Sequence, residues 1–229
     1  MKNLKVTIKT FIATFAVLTF IRGIITIAPV MAAPIKQQAP IMADTPLKAF
    51  EGIYQLKENE YMSYQIYVDN GKLVAKMING KTGLLLTRKS DLSFEVTDAD
   101  GDETSTIVFS KNEPGEITQA ILAGSQYFIR VKNVPPIVEV KLSSAQLKAV
   151  EGKYQLEGKT DLFLQLTATE NGLLLKQIWD NQEISFIPLT DLLFLNKERG
   201  FPLKFSKDTA GNIVKVVAFN RDAWDKVKP

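Results

Sequence analysis

The chain of 229 residues contains no cysteine and no histidine. The first absence removes disulfides, thiolate nucleophiles and thiolate metal ligands. The second removes the imidazole that serves as base in a Ser-His-Asp triad. Together they exclude structural zinc sites of the usual ligand types. Neither Ser-x-x-Lys nor Gly-x-Ser-x-Gly occurs, so two serine-hydrolase signatures are missing as well. What remains is ordinary for a globular protein. With 45% hydrophobic and 23% charged residues, the chain is far from disordered or collagen-like composition and long enough to bury a core.

The first 32 residues read as an export signal. Lys2, Lys5 and Lys9 precede the uncharged apolar run Phe11–Ile21, and Val30-Met31-Ala32 places small or modest residues at positions −3 and −1. A positive n-region, a short apolar core and a small-residue cleavage site are the pattern of a secretory leader. Cleavage is expected after Ala32. Arg22 interrupts the apolar stretch, which argues against an uncleaved anchor. No cysteine follows the run, so a lipid anchor at this site is excluded. The leader holds four of the 28 basic residues and no acid. Its removal leaves 24 bases against 25 acids, a net charge of −1 with no nucleic-acid footprint. The expected address is the periplasm or the exterior, with no membrane span after cleavage.

The remaining chain repeats itself. Leu47-Lys-Ala-Phe-Glu-Gly-Ile-Tyr-Gln-Leu56 returns as Leu147-Lys-Ala-Val-Glu-Gly-Lys-Tyr-Gln-Leu156, with eight of ten positions identical at an offset of 100. Met62, Tyr64, Ile66 and Val68 match Leu162, Leu164, Leu166 and Ala168, and Asn70-Gly71 matches Asn171-Gly172. Asp91-Leu-Ser-Phe94 matches Asp191-Leu-Leu-Phe194. Phe109-Ser-Lys111 with Gly115 and Ile117 matches Phe205-Ser-Lys207 with Gly211 and Ile213. A period near 100 is too long for a solenoid repeat and suits a duplicated small domain. The expected division is a leader at 1–32, an N-terminal linker at 33–46, a first repeat at 47–131, a linker at 132–146 containing Pro135-Pro136, and a second repeat at 147–229.

Each copy opens with a short helical turn, capped by Thr45-Pro46 in the first and Ser144 in the second. The rest is β. Tyr61–Val68 and Leu162–Ala168 alternate with period two, and Asn70-Gly71, Asn79-Gly80 and Asn171-Gly172 read as hairpin turns whose residues accept positive φ. Seven or eight short strands per copy fit an antiparallel meander closing as a barrel or sandwich. The inward stripe of Met62, Tyr64 and Ile66, with Leu162, Leu164 and Leu166, is large enough to fill such a barrel.

Leu-x-x-Phe/Val-x-Gly-x-Tyr, a hairpin at Asn-Gly, Asp-Leu-x-Phe and Phe-Ser-Lys-x-x-x-Gly-x-Ile together resemble a lipocalin-like domain of unknown function at the C-terminus of β-lactamase-related serine hydrolases. The resemblance covers roughly 47–131 and 147–224. It implies one small antiparallel barrel per copy, all-β overall, and an accessory role beside a hydrolase domain that this sequence does not contain.

Few residues suggest chemistry. Asp98, Asp100, Asp102 and Glu103 resemble the start of a calcium loop, but Gly101 falls at the fourth position and Phe109 at the twelfth. A solvated hairpin tip accounts for them. Tyr54, Tyr154, Gly52 and Gly152 recur and read as architecture; Trp179 and Trp224 occur in the second copy alone and read as core. Asp91 and Asp191 recur beside strand starts, and a catalytic role would need them in one cleft. The outward residues Tyr61, Gln65 and Tyr67, with Phe163 and Gln165 in the second copy, either pair across strands or offer a binding face. The expectation is a non-enzymatic binding or interaction module without cofactor or metal. Its partner is a protein or, less in keeping with filled barrels, a small apolar ligand; the alternative is an accessory subunit of a serine hydrolase acting in trans.

Overall fold

The structure, a computed structural model, describes residues 44–97 and 104–228. The leader and the acidic run from Asp98 to Glu103 lie outside the described residues. Two closed eight-stranded antiparallel barrels follow one another along the chain. The first comprises β1 (Gly52–Leu56), β2 (Asn59–Asp69), β3 (Lys72–Met77), β4 (Gly83–Arg88), β5 (Ser93–Thr97), β6 (Thr104–Lys111), β7 (Ile117–Leu122) and β8 (Gln126–Val131). The second comprises β9 (Gly152–Leu156), β10 (Phe163–Thr169), β11 (Gly172–Gln177), β12 (Glu183–Pro188), β13 (Leu193–Asn196), β14 (Phe201–Lys207), β15 (Ile213–Ala218) and β16 (Asp222–Lys226). Each is an up-and-down meander in which the first strand pairs with the second and the last. No sheet edge is left open, which removes the usual hazard of edge-to-edge association. Among the described residues no helix is long and apolar enough to cross a membrane.

A short helical element precedes each barrel: a 3-10 turn at Leu47–Phe50 and α1 at Ser144–Val150. The capping differs from expectation at both. The first turn takes Pro46 as its cap without a side-chain hydrogen bond, because the Thr45 hydroxyl donates to Asp91 instead (2.8 Å). In the second, Ser143 rather than Ser144 is the cap, and Gln146 closes a reciprocal capping box with it.

Each turn lies against one barrel end and is fastened by the repeated motif. Phe50 and Val150 are fully buried in the two cores. The Tyr54 hydroxyl donates to the Phe50 carbonyl at 3.0 Å, and that of Tyr154 to the Val150 carbonyl at 2.8 Å. Glu51 accepts the Val68 amide (2.9 Å) and Glu151 the Ala168 amide (2.6 Å), both at the end of the second strand of their barrel. From the last strand of each barrel a cation reaches the end of the turn. Arg130 donates to the carbonyls of Ile117 (3.0 Å) and Glu51, and Lys226 to that of Ala149 (2.9 Å). Both cations pass directly over a glycine. A Cβ on Gly52 (φ 153°) would stand 2.6 Å from Arg130 Nε, and one on Gly152 (φ 140°) 2.9 Å from Lys226 Cε. The backbone conformation is what calls for glycine, and a Cβ at either position would also displace the long side chain that crosses it.

The interiors are filled with side chains. In the first barrel Phe50, Phe94 and Phe109 meet edge to face at centroid distances of 4.9–5.6 Å. In the second, Phe205 packs between Phe194 and Tyr154. Five of the six stripe residues join these cores; Met62 does not. Trp224 is core, but Trp179 is a correction to the sequence reading. It lies parallel to Trp224 with centroids 6.0 Å apart and remains 42% exposed.

Two of the three Asn-Gly sites differ from expectation. Asn70-Gly71 forms the hairpin with φ of 46° and 73°. Asn79-Gly80 has no positive φ, because five residues join β3 to β4 and no mirror-image two-residue turn is needed. In the second barrel Thr169 pairs with Gly172, so Glu170-Asn171 makes the turn and Gly172 opens β11. The Phe-Ser-Lys motif has a clear basis: Ser110/Lys111 and Ser206/Lys207 both mark a register shift before a turn closed by left-handed Gly115 or Gly211.

Burial pushes the Tyr54 phenol up to about 12 and the Tyr154 phenol higher still. An unfolded tyrosine ionises near 10, so between about pH 10 and 12 the unfolded chain releases a proton that the fold retains. This contribution is complete below pH 10 and is lost above it, by about 2–3 kcal/mol for Tyr54. Tyr54→Phe is expected to flatten this alkaline loss in the first barrel, as measured by urea unfolding at pH 8 and pH 11.

Candidate functional site

The outward face of β1, β2 and β3 carries the clearest hollow, an open groove of about 600 Å³. Its floor is a cross-strand row. Gln65 pairs with Ile53 on one side and Lys76 on the other, and Tyr67 stands two residues along from Gln65 on the same face. Ile78 lines one end, and Asn133 and Val134, just past β8, line another side. The groove thus combines exposed apolar surface, an amide, a phenol and one ammonium group.

Of the five outward residues singled out in the sequence, the groove unites Gln65 and Tyr67. Tyr61 stands apart, near the start of β2, where its amide donates to Asn59 Oδ1 and its carbonyl backs onto Gly200 of the second barrel. Phe163 and Gln165 occupy the corresponding face of the second barrel, but the chemistry there differs. Gln165 pairs with Lys153 and Lys176, so lysine replaces Ile53 in the row. The Lys153 ammonium sits 3.8 Å from the centre of the Phe163 ring. A cation over an aromatic face covers that ring and replaces an apolar flank with a charged one.

A second open hollow of about 430 Å³ lies at the other rim of the first barrel, bordered by Leu47, Leu73, Leu85, Leu86 and Phe94. Leu85 faces outward and is 43% exposed, whereas Leu73, Leu86 and Phe94 are buried core. The hollow is a notch around the rim beside the helical turn.

The recurring aspartates belong to separate barrels and are each held by a lysine of the Phe-Ser-Lys motif. Asp91 accepts the Thr45 amide (2.5 Å), the Thr45 hydroxyl (2.8 Å) and Lys111 (3.4 Å). Asp191 pairs with Lys207 at 3.1 Å. The Thr45 amide and hydroxyl, with Lys111 beside them, hold the Asp91 carboxyl below its ordinary range. Among the described residues no three acidic side chains gather as metal ligands would.

Sequence reasoning missed residues of two kinds. Glu51 and Glu151 stood in the repeated motif, so their identity in both copies was an available signal. Arg130 and Lys226 do the same work with different side chains and leave no trace in a comparison of the copies. The contacts between the barrels, described below, also involve unrepeated residues.

No protein-family model and no curated protein sequence matches this chain.

Because Asp91 is depressed by its native partners, it contributes stability at neutral pH that is lost as the pH falls through its folded value. Asp91→Asn is expected to lower the thermal midpoint of the first barrel at pH 7 and to reduce its acid sensitivity. The corresponding Asp191→Asn loses one lysine partner and is expected to shift the midpoint less. Calorimetry at pH 7 and pH 3 measures both.

Proposed function

We propose that this chain is an exported, non-catalytic interaction module that presents the groove on its first barrel to a protein partner. The observation that carries the reading is where the space lies. Buried rings and branched aliphatics fill both barrels, while the larger hollow is an open groove on the outside. Ile53, Tyr67 and Ile78 supply apolar contact, and Gln65 can donate and accept hydrogen bonds to a backbone. Aromatic residues flanked by polar ones recur at protein interfaces because the ring contributes area and the hydroxyl retains a hydrogen bond.

The resemblance to an accessory domain of β-lactamase-related hydrolases supports a helper role, and a hydrolase acting in trans is the partner class that follows from it. The rim notch beside Leu47 favours a second reading, a small apolar ligand held at the barrel end.

Native mass spectrometry of residues 33–229 from the exported fraction separates the two readings. The bare polypeptide mass is expected; a stoichiometric added small mass would establish the carrier. A photoreactive side chain at Tyr67 in the producing cell is expected to yield one discrete protein adduct. The same probe at Thr167, its exposed counterpart on the second barrel, is expected to yield none. Equal labelling from both positions would sink the groove as the interaction site.

A further inference from the structure

The barrels meet through loops at the ends opposite their helical turns. From the first barrel come the β1–β2 connection with the start of β2, and the β3–β4 connection. From the second come the β13–β14 and β15–β16 connections. Asn59 is buried and donates from Nδ2 to the Gly200 carbonyl at 2.8 Å, while its Oδ1 accepts the Tyr61 amide at 3.2 Å. Asn220, held at φ 57°, donates to the Glu58 carbonyl at 3.2 Å. Lys81 and Glu198 pair across the same junction at 2.5 Å. The backbones approach closely there: a Cβ on Gly200 would lie 2.5 Å from the Tyr61 carbonyl oxygen and 3.1 Å from Met62 Cα.

The residues that the first barrel brings from the start of β2 and the turn before it are not repeated in the second. At the offset of 100, Glu58, Asn59 and Tyr61 correspond to Gly158, Lys159 and Asp161. The copies match where each barrel closes itself, whereas the β1–β2 side of the junction is particular to the first copy. The linker is pinned on both sides of its prolines. Asn133 and Val134 line the groove of the first barrel, whereas Val140 donates its amide to the Pro188 carbonyl (3.0 Å) and Glu139 faces Lys197 (3.5 Å) on the second. Pro135–Val138 lies between these anchors, with Val138 69% exposed.

We infer that Asn59, Asn220, Gly200 and the Lys81–Glu198 pair form a clasp that fixes the barrels in one orientation, with Pro135–Val138 as the hinge on which they part when it opens. Asn133 and Val134 form a side of the outer groove and lead directly into the hinge, so a change in barrel orientation is transmitted to that side of the groove. The clasp is built from polar contacts, which set orientation more than they add affinity. It stands whether or not the groove binds a partner.

The chain has no cysteine, so Lys48→Cys and Lys148→Cys spin labels, on the exposed faces of the two helical turns, report a single distance. Pulsed electron-electron resonance on the full chain is expected to give one narrow peak. Combining Asn59→Ala, Asn220→Ala and Lys81→Glu is expected to replace that peak with a broad distribution. Far-UV circular dichroism and cooperative unfolding should stay as in the parent. Gly200→Ala, which acts by crowding the Tyr61 carbonyl, is the independent second variant and is expected to broaden the peak too. A broad distribution in the parent chain would overturn the clasp. So would a narrow peak that both folded variants leave unchanged.

Discussion

The structure depends on how a closed barrel seals its end. A helical turn laid across the opening buries a large side chain, Phe50 or Val150, but brings carbonyls that no later residue of the helix can satisfy. Unpaired polar groups in such a place cost about 1–3 kcal/mol each. The sequence Glu-Gly-x-Tyr answers this within four residues. The tyrosine ring is core, and its hydroxyl, which needs an acceptor inside the barrel, finds the last carbonyl of the turn. The glutamate satisfies an amide at the end of the second strand. The glycine clears a path for a cation arriving from the last strand. The first and last strands are thereby tied to the same turn, and the barrel closes around it.

This explains why the repeat was legible in the sequence where it was. Residues that must solve the same closure problem twice remain recognisable twice: Glu51 and Glu151, Gly52 and Gly152, Tyr54 and Tyr154. The Asp-Leu-x-Phe and Phe-Ser-Lys motifs also belong together physically, because Asp91 and Asp191, in the turns before β5 and β13, meet Lys111 and Lys207 at the ends of β6 and β14. Period-two alternation and the turn residues were enough to recognise two all-β barrels and to place β2 and β10. What escaped the sequence was geometry that residue identity does not encode. Adjacent serines at 143 and 144 are equally able to cap a helix, and only the backbone dihedrals select the first. An Asn-Gly pair implies a mirror-image turn only when the connection has two residues, and that between β3 and β4 has five. Trp179 reads as core by composition, yet one turn residue at a barrel rim has little interior to enter.

The candidate site was half legible for a related reason. Alternation along β2 placed Gln65 and Tyr67 outward together, but the groove also needs Ile53 from β1 and Val134 from beyond β8. Those neighbours come from register and from the course of the linker, which no local pattern states. The same register shows why the second barrel does not duplicate the site: Lys153 occupies the position of Ile53 and covers Phe163. A single substitution in a cross-strand row changes an apolar flank into a charged one.

The division of labour between apolar and polar contacts follows from size and from the absent cysteines. Barrels of roughly 80 residues bury a modest share of their surface, and without disulfides their stability must come from packing. The interiors are accordingly spent on rings and branched aliphatics, and the helical turns complete the cores. The junction between barrels, by contrast, draws on amide side chains, backbone carbonyls and an exposed ion pair. Such contacts exchange water for protein partners at small net gain. Each contact also needs its counterpart at one place and angle, so together they specify orientation at little cost in stability. A junction of that kind fixes an orientation through geometry rather than through buried apolar area.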